Sequence, residues 1–170
     1  MAATIHYISG GQRSGKSGYA QNLALELSNT PVYLATSRVW DDDHKKRIER
    51  HQADRDERWT NIEEEKHISQ LDLSQRVVVM DCVTLWLTNF FSDYEYNVDQ
   101  TLEAAKAEFD RLITQDFTLI IISNEIGMGL HAETKAGRKF TDLQGWMNQY
   151  IAQKANHATF MVSGIPVKMK

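Results

Sequence analysis

The chain has 170 residues, 42% of them hydrophobic and 25% charged, which suits one core and leaves little room for a second. A formal net charge of −4 argues against sequence-independent nucleic-acid binding, though not against a local basic site for an anion. Apolar runs such as "TLIII" are strand-sized, so no membrane span is expected, and the single cysteine, Cys82, excludes an intrachain disulfide and fits a reducing, cytoplasmic setting.

The N-terminal "MAATIHYIS" lacks the charged-then-apolar order of a secretory signal. Within it, Thr4–Ser9 reads as the first strand. "GGQRSGKS" follows at once: Gly10, Gly11, Gln12, Arg13, Ser14, Gly15, Lys16 and Ser17 match G-x-x-x-x-G-K-[ST]. Glycines there let successive backbone N–H groups turn inward on phosphate oxygens, and a helix start at Lys16 adds partial positive charge. Lys16 is expected to neutralise the β- and γ-phosphates and Ser17 to ligate Mg²⁺.

A helix is expected over Lys16–Ser28, stopped by Pro31 before a second strand, Val32–Thr36. Thr36, Ser37 and Arg38 then lie at a strand's carboxyl end, where open α/β sheets bind ligands. Asp41, Asp42 and Asp43 signal a helix start, and the helix expected over Asp42–Arg58 has no apolar stripe. In that helix His51 shares a face with Arg47 and Arg55. Two readings stay open at this point: a solvated charged face, or an imidazole kept neutral by cationic neighbours and available as a nucleophile.

A third strand, Arg76–Asp81, ends on Asp81, where a P-loop site places its Mg²⁺-holding carboxylate; the same residue also suits a helix cap. Helices are expected over Leu85–Ser92 and Asp99–Thr114, with a loop from Ser92 to Val98 between them. The most apolar strand, Phe117–Asn124, runs into "SNEIGMGLH", a glycine-containing loop that carries Asn124 and Glu125 at a strand end and reads as a binding loop. Gly137–Ala155 is an amphipathic helix with Phe140, Leu143, Met147 and Ile151 on its core face. Arg138 and Asp142 share a face and are candidates for an ion pair or for reaching the site. The last strand is Ala158–Gly164. His6 and His44 read as a packed residue and a first-turn residue, and no His/Cys/Asp/Glu spacing resembles a zinc site.

Strands alternating with helices, most of them continuous apolar runs, indicate an α/β fold: a P-loop NTPase-like, doubly wound, mainly parallel sheet in a single domain over 1–170. From these residues the chain is a nucleotide-binding P-loop protein, and two functions stay open: a single-function P-loop kinase for a small alcohol, and a non-enzymatic nucleotide-binding subunit.

Taken together, "GGQRSGKS", "YLATSRVWDDDHKKRIERHQADRDERW", "VVVMDCVTLWLTN", "SNEIGMG" and "GRKFTDLQGWMNQYIAQKA" resemble one family over nearly the whole chain: the bifunctional adenosylcobinamide kinase / adenosylcobinamide-phosphate guanylyltransferases of cobalamin biosynthesis. The resemblance implies that GTP or ATP phosphorylates adenosylcobinamide, and that GMP then passes from GTP to the new phosphate through a GMP–histidine intermediate at His51. It implies catalytic roles for Lys16 and Asp81, and nucleotide contacts from Ala35, Thr36, Ser37, Gln52, Ala53, Asp54, Arg55 and Glu63, with Glu63 suited to the N1–H and amino donors of guanine. It also implies Mg²⁺ on Ser17 and Asp81, and a homotrimer. The chain departs from the family pattern at His131 and Ala132, where a proline is common, and at Thr141, where an arginine is common.

Overall fold

Most of the strands are apolar on both faces, and the architecture follows from burying both. The computed structural model describes residues 2–38 and 55–170. Seven strands form one sheet: β1 (Thr4–Gly10), β2 (Val32–Ala35), β3 (Thr60–Glu63), β4 (Val77–Asp81), β5 (Thr118–Ile122), β6 (His157–Val162) and β7 (Ile165–Lys168). Their order is β3-β2-β4-β5-β1-β6-β7, parallel throughout except for the β6–β7 pair.

Successive side chains point to opposite faces. Ile8, Val79, Ile120 and Ile122 therefore pack with Ala20 and Ala24 of α1 (Lys16–Leu27) on one face. Ile5, Tyr7, Val78, Met80, Leu119 and Ile121 pack on the other, against α2 (Val83–Asp93), α3 (Val98–Leu112) and α4 (Lys135–Lys154). Trp86, Phe109, Leu143, Met147 and Ile151 are fully buried there. Each such aromatic or aliphatic side chain contributes about 1.5–3 kcal/mol by leaving water.

Two strands go beyond the sequence expectation, and both are edges. β3 ("TNIE") has only Ile62 partly buried, too little for an apolar signal. β7 is exposed along its length and carries Pro166, which an edge strand tolerates. It returns from β6 through Ser163 and Gly164, both at positive φ (51° and 80°), the two-residue hairpin geometry that matches strand twist.

The helix expected over Asp42–Arg58 does not extend through its described end. Arg55–Arg58 is bend and turn. Asp56 accepts the Arg58 backbone N–H at 3.0 Å and its carbonyl accepts from Trp59 N at 3.3 Å, a local turn that competes with helix. Trp59 is buried edge-on against Tyr33, with ring centroids 6.0 Å apart, and β3 starts at the next residue. The Arg138–Asp142 pairing is also replaced: Arg138 Nη1 donates to the carbonyls of Ala132 and Glu133, bracing the start of α4.

The parallel register sets the carboxyl ends in a row. Glu63 pairs with Ala35, Ala35 with Asp81, Asp81 with Ile122, and Ile122 with Ile8. Because β5 lies between β1 and β4, the chain leaving β5 emerges between the glycine-rich loop and Asp81.

Candidate active site

Gly10 and Gly15 shape the loop. A Cβ on Gly10 would lie 2.6 Å from the Met161 carbonyl oxygen and 2.7 Å from Ser14 Oγ. Gly15 sits at φ 95° as the N-cap of α1 and lies against the β6–β7 turn, where a Cβ would meet Gly164 Cα at 3.2 Å. Gly164 N donates to the Ser14 carbonyl at 2.9 Å, so the hairpin supports the loop from behind. The α1 N-terminus has no side-chain cap and no acidic residue in its first turn. Its free N–H groups and partial positive charge are thereby left for an anion.

Lys16 is buried, and its ammonium donates to the Gly11 carbonyl and, at 3.4 Å, to Ser14 Oγ. Burial lowers its pKa, while Cys82 and Asp81 nearby act the other way. Ser17 Oγ donates to Asp81 Oδ2 at 2.9 Å, and the Tyr33 hydroxyl donates to the same oxygen at 2.7 Å. Burial and the Asp81 charge push the Tyr33 hydroxyl far above its ordinary range, so it stays a donor. The Arg55 guanidinium stacks 3.6 Å over the Tyr33 ring, and its Nε donates to Asn61 Oδ1 at 2.8 Å. Tyr33 was not singled out in the sequence, because within "VYLAT" it reads as one more core residue.

A cavity of about 790 Å³ opens beside these groups, with walls that include Gly11, Gln12, Ser17, Tyr33, Ala35, Ser37, Arg55, Asp81, Asn124 and Glu125. A smaller one of about 420 Å³ follows the loop from Gln12 to Gly18, and shares Gln12, Ser17, Asp81, Cys82 and Asn124 with the first. The two meet at Ser17 and Asp81. The geometry suits a polyphosphate on the loop and a second, larger group in front of it.

Of the residues expected at the site, Gly11 to Ser17, Ala35, Ser37, Arg55 and Asp81 gather around these cavities, while Gly10 packs against Met161 and Ser14. Thr36 is fully buried and structural in its contacts: Oγ1 donates to the Cys82 carbonyl at 2.8 Å, and its own carbonyl accepts from Asn89. Glu63 is exposed at the end of β3 beside Ala35, and is not part of the larger cavity's wall. His51, Gln52, Ala53 and Asp54 lie outside the described residues, as does His44. Cys82 is buried and its thiol is pushed up to about 12 by burial, which fits packing rather than nucleophilic work. His6 is half-buried and stacks on His157, with centroids 4.6 Å apart.

A Mg²⁺ ion fits the donors present. Ser17 and Asp81 supply a hydroxyl and a carboxylate oxygen in contact, hard oxygen donors of the kind a Mg²⁺ ion takes beside phosphates and water.

The family model for cobinamide kinase / cobinamide phosphate guanyltransferase matches residues 6–169. The bifunctional adenosylcobalamin biosynthesis protein CobU of Escherichia coli (strain K12) is 36% identical over 96% of this chain and 98% of its own length. The bifunctional adenosylcobalamin biosynthesis protein CobP of Pseudomonas aeruginosa is 34% identical over 96% of this chain and 95% of its own. Among solved structures, an ATPase from the type III secretion system of pathogenic bacteria superposes with a TM-score of 0.54 at 8% identity, covering 97% of this chain and 56% of that one, a likeness of fold alone. No helix among the described residues is long and apolar enough to cross a membrane. With a family model matching residues 6–169 and relatives 36% and 34% identical over nearly their full lengths, the chain belongs to the cobinamide kinase / cobinamide phosphate guanyltransferase family.

Proposed function

We propose that this chain phosphorylates adenosylcobinamide and then transfers GMP from GTP to the adenosylcobinamide phosphate it has made. The observation that carries the reading is the contact of Ser17 Oγ with Asp81 Oδ2 at the junction of the cavity along the glycine-rich loop and a larger one. In the first step the substrate hydroxyl oxygen attacks the γ-phosphorus of a nucleoside triphosphate, and the nucleoside diphosphate leaves with the bonding electron pair. The loop amides and Lys16 hold the β- and γ-phosphates as charge shifts onto them.

In the second step a nitrogen of His51 attacks the α-phosphorus of GTP and pyrophosphate departs. A phosphate oxygen of adenosylcobinamide phosphate then displaces the imidazole, giving adenosyl-GDP-cobinamide. Splitting one displacement in two uses a neutral imidazole as nucleophile and as leaving group. His51 precedes Arg55 by four residues, a length of chain that spans at most about 14 Å. Arg55 in turn lies in the cavity wall. Gln52, Ala53, Asp54 and Glu63 complete the proposed guanine-nucleotide contacts. Mg²⁺ on Ser17 and Asp81 would supply charge neutralisation on the phosphates in both steps. We place the enzyme in the cytoplasm as a homo-oligomer, with a trimer as the expected state.

The test is incubation with α-labelled GTP and Mg²⁺. The expected result is a protein-bound label, labile in acid and stable in base, that is lost in His51→Ala while nucleotide binding to the P-loop persists. A wild-type chain that never takes the label refutes the histidine intermediate.

A further inference from the structure

We propose that Glu125 is the general base of the kinase step, accepting the proton of the acceptor hydroxyl; this rests on the kinase reading above. Among the described residues two carboxylates line the larger cavity, Asp81 and Glu125, and they are prepared differently. Asp81 Oδ2 already accepts from Ser17 and Tyr33, and Ser17 is the loop's own metal-binding hydroxyl. Glu125 stands apart from that pair. Its backbone N–H donates to the Gly10 carbonyl at 3.1 Å, which ties it to the first residue of the P-loop. The β5 strand that delivers it lies between the loop strand and the Asp81 strand, so it enters the cleft where the γ-phosphate of a loop-bound nucleotide would end.

Its carboxylate is held by one oxygen. Oε1 accepts from the Tyr7 hydroxyl at 3.4 Å and from Asn148 Nδ2 at 3.3 Å. Both partners are buried and fixed. Asn148 Oδ1 accepts from Ser123 Oγ at 2.6 Å and from Gln144 Nε2 at 3.0 Å, while Nδ2 also donates to the Asn124 carbonyl at 3.1 Å. Tyr7 remains a donor, because burial and the Glu125 charge hold its hydroxyl well above the usual range. Two donors on Oε1 orient the group and leave Oε2 as the acceptor on a cavity-lining residue. The step balances: the hydroxyl oxygen bonds to the γ-phosphorus, its proton passes to Oε2, and the nucleoside diphosphate leaves with the electron pair. Tyr7 and Asn148 are positioning residues.

The experiment compares wild type, Glu125→Gln, Glu125→Asp and Tyr7→Phe with adenosylcobinamide, GTP and Mg²⁺. Glu125→Gln is expected to lower the kinase kcat about 100- to 1000-fold, with corrinoid KM and melting temperature close to wild type. Glu125→Asp should recover part of the rate. Tyr7→Phe, which keeps the carboxylate, should lose roughly 3- to 10-fold. GMP transfer to pre-formed adenosylcobinamide phosphate, an acceptor with no hydroxyl proton to lose at the reacting oxygen, should fall far less than phosphorylation does. An active wild type beside a Glu125→Gln variant of unchanged kinase kcat overturns the inference alone. So does a parallel loss of both steps that Glu125→Asp does not relieve. A wild type that cannot phosphorylate adenosylcobinamide overturns the functional reading and this inference with it.

Discussion

The helices that start at the site and those that start elsewhere are built to different rules. α1 and α2 begin directly after the loop and after Asp81, on Gly15 and Cys82, with no side-chain cap and no acidic residue in the first turn. α3 begins on Asn97, whose side chain accepts from Gln100 N at 3.1 Å, with Asp99 in its first turn. α4 begins on Thr134, which accepts from Gly137 N at 3.0 Å. A cap stabilises a helix by about 1 kcal/mol, so leaving one out at both site helices forgoes stability. What is retained, at α1 above all, is a positive helix end whose first N–H groups no side chain caps, which is what a phosphate group requires.

Substitutions at the two kinds of helix start should therefore fail differently. The largest effect is expected at Lys16. Lys16→Ala should lower phosphoryl transfer by about 1000-fold or more with little change in melting temperature, as measured by steady-state product formation. Full retention of activity would detach the loop from the chemistry. Gly15→Ala comes next, because φ 95° and the Gly164 backbone both oppose a Cβ. It should cost about 1–2 kcal/mol of stability in urea and weaken nucleotide affinity as well. Asn97→Ala should cost about 1 kcal/mol in the same urea series and leave kcat and nucleotide affinity as they were. A variant of Asn97 that damaged turnover as Gly15→Ala does would erase the contrast.

The smallest effect lies in the ion network beyond β2. Arg38 donates to Glu65 and Asp93, and Lys66 donates to Asp93. These donors, Arg38 first, hold the Asp93 carboxyl down to about 2 from 3.8. The depressed pKa means this stability is complete above pH ~4 and fades as pH falls toward 2. With Asp93 about one-third exposed, solvent screening limits it to about 0.5–1 kcal/mol. Asp93→Asn should lose that amount at neutral pH and show a shallower acid dependence by thermal melts.

The legible parts of the sequence were those whose cause is local. Continuous apolar runs marked β1, β2, β4, β5 and β6 because each is buried on both faces, and "GGQRSGKS" marked the loop because its spacing is itself the device. β3 and β7 escaped because an edge strand with four exposed or half-exposed residues carries no burial pattern. Sheet order was not readable either. It sets β5 between β1 and β4, and so turns Glu125 from a loop residue into one tied to Gly10, Tyr7 and Asn148. Tyr33 likewise gains its place only when β2 pairs with β4 and its hydroxyl meets Asp81. Partners 23 to 118 residues apart leave no trace in local spacing.

The most direct test of the account is turnover of adenosylcobinamide by the full chain with GTP and Mg²⁺, followed by mass spectrometry of the corrinoid. The account predicts adenosylcobinamide phosphate first and adenosyl-GDP-cobinamide after it, with pyrophosphate released in step with the second product. Nucleotide binding or hydrolysis with the corrinoid left unmodified would contradict it.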